Sequence, residues 1–189
     1  MKYCNQCGHP VRLVVPEGDN RKRHVCVNCN TIHYQNPNMV AGTIPIYEDK
    51  VLLCKRAIEP RFGYWTLPAG FMENQESTIE AALRETHEEA QANVIIERLF
   101  TVLSVPQIDQ VHLFFLATLP EKKFGAGAES LETRLFSEEN IPWDYIAFPT
   151  VKKTLQYYFA ERSSPTSDFR VRVEDIRRNT PAEWHIKPD

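Results

Sequence analysis

Within GFMENQESTIEAALRETHEEAQA, residues 70–92, three glutamates follow one arginine in the run Arg84-Glu85-Thr86-His87-Glu88-Glu89. Residues three and four apart are neighbours on a helix surface, so in a helix Glu85, Glu88 and Glu89 share one arc. Like charges at that spacing cost about 0.2–0.5 kcal/mol per pair, and more where water is partly excluded. A bound dication removes that penalty, and hard carboxylate oxygens suit Mg2+ or Mn2+. The plainer alternative is a solvated glutamate face, neutralised in part by Arg84 and His87.

A second group of ligand-type residues lies near the start of the chain. Cys4-x2-Cys7 and Cys26-x2-Cys29, eighteen residues apart, have the spacing of the two knuckles of a zinc ribbon. Four thiolates close a tetrahedron and leave no position for water, so the expected Zn2+ is structural. Between the pairs, Arg21-Lys22-Arg23 reads as a solvated basic turn in preference to a nucleic-acid contact. The fifth cysteine, Cys54 in Val51-Leu52-Leu53-Cys54, reads as a buried core thiol. The opening MKYCNQCGHP lacks the apolar stretch of a secretory signal, and no run approaches the ~18 apolar residues of a membrane span. Reduced thiols, a cytoplasmic location and no membrane partner are expected. A net charge of −3 over 189 residues gives no global attraction to nucleic acid.

These groups need elements to hold them. With 42% hydrophobic residues, the chain supports one main domain and a small accessory. The divisions predicted are a cysteine module at 1–36, a main domain at 37–162 and a C-terminal extension at 163–189. The linker is Gln35-Asn36-Pro37-Asn38. Ser77 with Glu80 forms a capping box, which starts a helix running to Ala90. Its predicted core stripe is Ile79, Ala82, Leu83, Thr86 and Ala90. Pro149 to Arg162 is a second helix, with Val151, Leu155, Tyr158 and Phe159 on one face. Strands are predicted at 40–47 and 51–55 as a hairpin, then at 94–105, 111–119 and 131–136. Trp65 to Phe71 is a strand-like run that Pro68 and Gly70 break into a tight loop ahead of the first helix. The fold class is therefore α/β (α+β), a mixed sheet covered by helices. In the extension only Phe169-Arg170-Val171-Arg172-Val173 suggests a strand, and an extended tail docked on a partner subunit is expected.

Gly70, five residues, Glu76, seven residues, then Arg84-Glu85 and Glu88-Glu89 resembles the box of the Nudix hydrolases. The resemblance implies an α/β/α sandwich and hydrolysis of a nucleoside diphosphate linked to another moiety. It implies that Glu85 and Glu89 are primary metal ligands completed by Glu88, that Arg84 and Glu76 are a bracing ion pair, and that Gly70 is the turn glycine. The departures are Thr86 and Ala92 for aliphatic residues, and Gln91 for a glycine. That glycine ends a helix in the left-handed conformation, where a Cβ costs on the order of 1 kcal/mol. Asn93 is the alternative holder of the position. A general base from a later loop is also implied, with Glu129 preferred over Glu132. Gly125 and Gly127 predict a mobile segment there, and an ordinary exposed glutamate is the alternative. Arg56 is a candidate for gripping phosphate, and Phe62, Tyr64 and Trp65 for stacking on a base or flavin. A sheet-edge or core role is the alternative for each.

Two subfamilies place a zinc ribbon ahead of such a domain. NADH pyrophosphatases, which also remove NAD caps from RNA, carry a Ser-Gln-Pro-Trp-Pro-Phe-Pro-x-Ser motif, whereas the corresponding region here is Leu103-Ser104-Val105-Pro106-Gln107-Ile108. YQNPNMVAG, VLLCKRAIEPRFGYWTLPAGFME and AGAESLETRLFSEENIP instead resemble the FAD and ADP-ribose pyrophosphatases. The resemblance implies a small dinucleotide or nucleotide-sugar substrate, Mg2+ or Mn2+, and a homodimer. The alternatives are NADH or NAD-cap hydrolysis, and a non-catalytic nucleotide sensor or RNA-binding regulator.

Overall fold

The computed structural model describes residues 1–163 and 170–177. It divides into two compact units, Met1–Pro37 and Asn38–Asp189. In the first, β1 (Val11–Val14), β2 (Arg23–Cys26) and β3 (Ile32–His33) form an antiparallel sheet in that order. Little apolar surface is covered there: Cys4, Val25, Cys26 and His33 are buried, while Leu13, Val15 and Val27 are each more than half exposed.

The second unit is built on one mixed sheet. Its strands are β4 (Asn38–Tyr47), β5 (Lys50–Arg56), β6 (Trp65–Thr66), β7 (Ala69–Phe71), β8 (Ile95–Val105), β9 (Gln110–Thr118), β10 (Ser130–Phe136) and β11 (Arg172–Asp175). The spatial order is β10-β5-β4-β9-β8-β11, with β6 on β5 and β7 on β4. The β4–β9 and β8–β11 pairs are parallel, and the others antiparallel. Helix α1 (Thr78–Ala90) packs on one face through Ala81 and Ala82 against Ala41, Leu113 and Phe115. Helix α2 (Pro149–Arg162) covers the other, where Val151, Leu155, Tyr158 and Phe159 meet Ile44, Phe100 and Phe114. The result is the α/β/α sandwich expected, with both helices and the main strands within two or three residues of their predicted bounds.

The α1 stripe differs from expectation. Ile79 is 44% exposed and Leu83 half-buried, while Ala81 is fully covered. Ile79 sits in the first turn, and the close approach of the helix to Ala41 selects the small alanines. The capping box is present, with Ser77 Oγ accepting from Glu80 N–H and Glu80 accepting from Ser77 N–H. The strand of the extension pairs with β8 of its own chain rather than lying free for a partner. Residues 164–169 and 178–189 of that extension lie outside the described residues. No described helix is long and apolar enough to cross a membrane.

Candidate active site

Arg84 organises the acidic side of the second unit. All five of its N–H groups are placed: Nε and Nη2 bind both oxygens of Glu76 at 3.0 and 2.8 Å, and Nη2 reaches the Phe71 carbonyl at 3.1 Å. Nη1 donates to Glu85 at 2.7 Å and Glu88 at 3.1 Å. The fork thus ties the β7 turn to α1, and the hydrogen bonds from Arg84 and from Glu73 N–H hold Glu76 below its ordinary range. A Cβ at Gly70 would lie 2.4 Å from the Glu85 carboxylate and push it from its present place.

Glu89 lies deeper, 6% exposed, and accepts one hydrogen bond, from Ala69 N–H at 3.2 Å. Burial pushes its carboxyl up to about 8, against the pull of that bond, and Glu85 is raised by burial as well. Two carboxylates drawn out of water beside a third form a donor set suited to a hard dication. In this arrangement Arg84 is paired with Glu85 and Glu88 while Glu89 accepts from the backbone, so a cation would have to compete with Arg84.

Glu85, Glu88 and Glu89 line a cavity of about 770 Å³ together with Arg84, Gly70, Arg56 and Glu129. Of the sequence candidates for catalysis and substrate contact, Trp65 does not line the cavity. Its ring is 7% exposed and packs edge-on against Phe136 at 4.8 Å, so its role is in the core. Phe62 is exposed and Tyr64 packs near Tyr145, neither lining the cavity. Glu132 pairs with Arg134 on β10, also away from it. Arg56 is nearly buried, donating from Nε to the Pro60 carbonyl at 2.9 Å, with its guanidinium 5.0 Å from the Phe148 ring centre.

The segment before Glu129 is pinned, contrary to the mobility expected from its glycines. Gly125 N–H and Gly127 N–H donate to the carbonyls of Ala90 and Glu89 at 2.8 and 3.1 Å. A Cβ on Gly127 would fall 1.7 Å from the Glu88 carbonyl, so glycine serves close approach here rather than motion. The Glu129 carbonyl accepts from Ala57 N–H at 2.8 Å, anchoring it to the end of β5. Gln91, not Asn93, takes the left-handed position at φ 47° and ψ 31°, and donates its N–H to the His87 carbonyl.

The wall facing α1 was not singled out in the sequence. Ile108, Gln110, His112, Phe114, Phe148 and Val151 form it, from β9, the turn before it and the start of α2. The signal available was the two-residue alternation of Gln110, His112 and Phe114, but nothing local says which face of β9 meets a cavity.

In the first unit, the sulfurs of Cys4, Cys7, Cys26 and Cys29 lie within 4.8 Å of one another. Cys4–Cys29 is 3.7 Å, and Cys7 is 3.4 Å from both Cys26 and Cys29. Zn–S bonds of about 2.3 Å need sulfurs about 3.8 Å apart in a tetrahedron, so the set fits Zn2+ with slight expansion. Backbone N–H groups of Gln6 and Asn28 point at Cys4 and Cys26, as anionic sulfur requires. Cys54 is buried apart from them, its thiol raised by burial.

Residues 37–158 match the NUDIX domain model, well over half of the chain. The chain belongs to that family. It is a Nudix hydrolase, an enzyme of the pyrophosphatase class, and residues 2–35 match the Nudix N-terminal zinc ribbon model. A Nudix hydrolase of Nitrosomonas europaea is similar in structure, with a TM-score of 0.88 and 50% identity over 93% of this chain and 100% of that one. An ADP-ribose pyrophosphatase of Methanocaldococcus jannaschii is 30% identical over 58% of this chain and 67% of its own length. An NAD-capped RNA hydrolase of Edwardsiella ictaluri is 31% identical over 61% of this chain, which spans 43% of that relative.

Proposed function

We propose that this Nudix hydrolase cleaves the pyrophosphate of FAD or ADP-ribose, giving AMP and FMN or ribose 5-phosphate. The observation that carries the reading is the buried Glu89 beside Glu85 and Glu88, on a cavity large enough for a dinucleotide. Glu85, Glu88 and Glu89 would hold Mg2+ or Mn2+, which when bound neutralises phosphate charge and lowers the pKa of a coordinated water. Arg84, itself held by Glu76, binds Glu85 and Glu88, while Ala69 N–H holds Glu89. Arg56 is the group for a non-bridging phosphate oxygen, since its guanidinium is already fixed on Phe148. Glu129, anchored by Ala57, is the base that takes a proton from water as its oxygen bonds to phosphorus and the bridging P–O bond breaks. The four cysteines hold a structural Zn2+.

The archaeal ADP-ribose pyrophosphatase supports this substrate class. The NAD-capped RNA hydrolase supports a second reading, NAD(H) or NAD-cap cleavage, over a smaller part of that relative's length. Rates on FAD, ADP-ribose and NADH with each metal, with products identified, decide between them. Faster turnover of NADH than of the other two would overturn the first reading.

A further inference from the structure

The chemistry above uses the α1 side of the cavity and leaves the opposite wall unassigned. On β9, Gln110, His112 and Phe114 share the face that lines the cavity, while Val111, Leu113 and Phe115 face α1. His112 is 8% exposed. Its Nε2 is 2.9 Å from Gln110 Oε1, and its Nδ1 is 3.1 Å from Thr150 Oγ1 at the start of α2. A carboxamide oxygen only accepts, so Nε2 carries the proton and Nδ1 accepts from the Thr150 hydroxyl. Burial holds this imidazole neutral, with its pKa down to about 4. One tautomer therefore sets the Gln110 carboxamide, whose NH2 has no hydrogen bond to a described residue.

The same cavity is lined by the apolar side chains of Ile108, Phe114, Phe148 and Val151. A sugar would leave hydroxyls unsatisfied against such surfaces, whereas a planar heterocycle buries its faces and needs partners only at its edge. We propose that Gln110, held by His112 and Thr150, donates to a ring nitrogen or carbonyl at the edge of the substrate's heterocycle and thereby selects the ring. His112 and Thr150 are positioning residues. The inference rests on the dinucleotide reading above and names which part of the substrate meets this wall. Adenine and isoalloxazine both offer such an acceptor edge.

The test is steady-state kinetics on FAD and ADP-ribose, with calorimetric titration of AMP and FMN, both in Mg2+. Gln110→Ala should raise KM about five-fold at unchanged kcat, the loss of one neutral hydrogen bond in uniform binding. A rise on both substrates, with weakened AMP, assigns the wall to adenine; a rise on FAD alone, with weakened FMN, assigns it to isoalloxazine. His112→Phe should raise KM similarly in the wild-type background and add nothing to Gln110→Ala, and Thr150→Val gives the same reading if His112→Phe does not fold. Unchanged KM and Kd in Gln110→Ala, or a fully additive His112→Phe effect, overturns the proposal. If neither dinucleotide is hydrolysed, the FAD or ADP-ribose reading fails by itself. In that case weaker AMP or FMN binding by Gln110→Ala still upholds this wall, and equal or absent binding overturns it.

Discussion

The two units pair ligands with core in opposite ways. In the ribbon the buried residues number four, and two of them are cysteines of the thiol cluster. The Nudix domain has three apolar clusters, and its glutamates sit at the rim of a sandwich already packed on both faces. A fold with little apolar burial depends on its ion, whereas a fold with a full core can hold clustered carboxylates, two of them paired with Arg84, without one. On the proposed reading, the ribbon's zinc would be architecture and the domain's dication chemistry.

Removing each ion breaks this comparison most directly. Structural zinc contributes on the order of 10 kcal/mol in small ribbons and fingers. Stripping zinc from the full chain with a chelator, then restoring excess Mg2+, should abolish hydrogen-exchange protection at Val25 and Cys26. Protection at Leu53 and Phe100, both fully buried in the domain, should persist. Surviving protection at Val25 would mean that the ribbon fold stands without its ion.

The converse change is Glu89→Gln. It keeps shape and removes one carboxylate, so turnover should fall about 10³-fold, roughly 4 kcal/mol of transition-state stabilisation. The melting temperature should hold or rise, because the neutral amide avoids the cost of burying a carboxylate, or of protonating it, at a site 6% exposed. Retained turnover, or a collapsed melting curve, would erase the distinction between the two units.

What the sequence revealed and what it concealed follow from range. Helical spacing alone brings Glu85, Glu88 and Glu89 together, and the capping box sets the start of α1 within its own first turn. The thiol cluster follows from two short knuckles. His112, Gln110 and Phe148 meet those glutamates only through the parallel β4–β9 pairing and the seating of α2, contacts between residues far apart in the chain. Trp65 takes the core role, the alternative to stacking on substrate, for a related reason. A two-residue strand has two faces, and its pairing with β5 turns this ring toward Phe136 rather than the cavity.

Acid offers a third probe, one in which the domain's stability should depend on its core and not its ion. His112 titrates near 4 in the fold and near 6.5 unfolded. Between those values the unfolded chain binds more protons, so this group lowers stability as pH falls from 6.5 toward 4. The difference in unfolding free energy between wild type and His112→Gln should shift by about 2–3 kcal/mol across that window. Denaturant unfolding at pH 7 and 4.5 reads it, with and without Mg2+. A shift seen only with Mg2+ would tie this wall to the ion after all.

The smallest effect lies where α1 ends. Gln91 is left-handed, a conformation that costs a residue with a Cβ about 1 kcal/mol relative to glycine. Gln91→Gly should therefore raise the melting temperature by about 2–4 °C. The opposing contribution is contact, because the Gln91 carboxamide lies against Gly125, whose added Cβ would be 2.8 Å from Gln91 Oε1. A lower melting temperature with reduced turnover would mean that this contact holds the 125–129 segment and its Glu129 in place. A higher one with unchanged turnover would show that the bonds from Gly125 and Gly127 to the helix carbonyls suffice, and that the domain positions its proposed base by backbone alone.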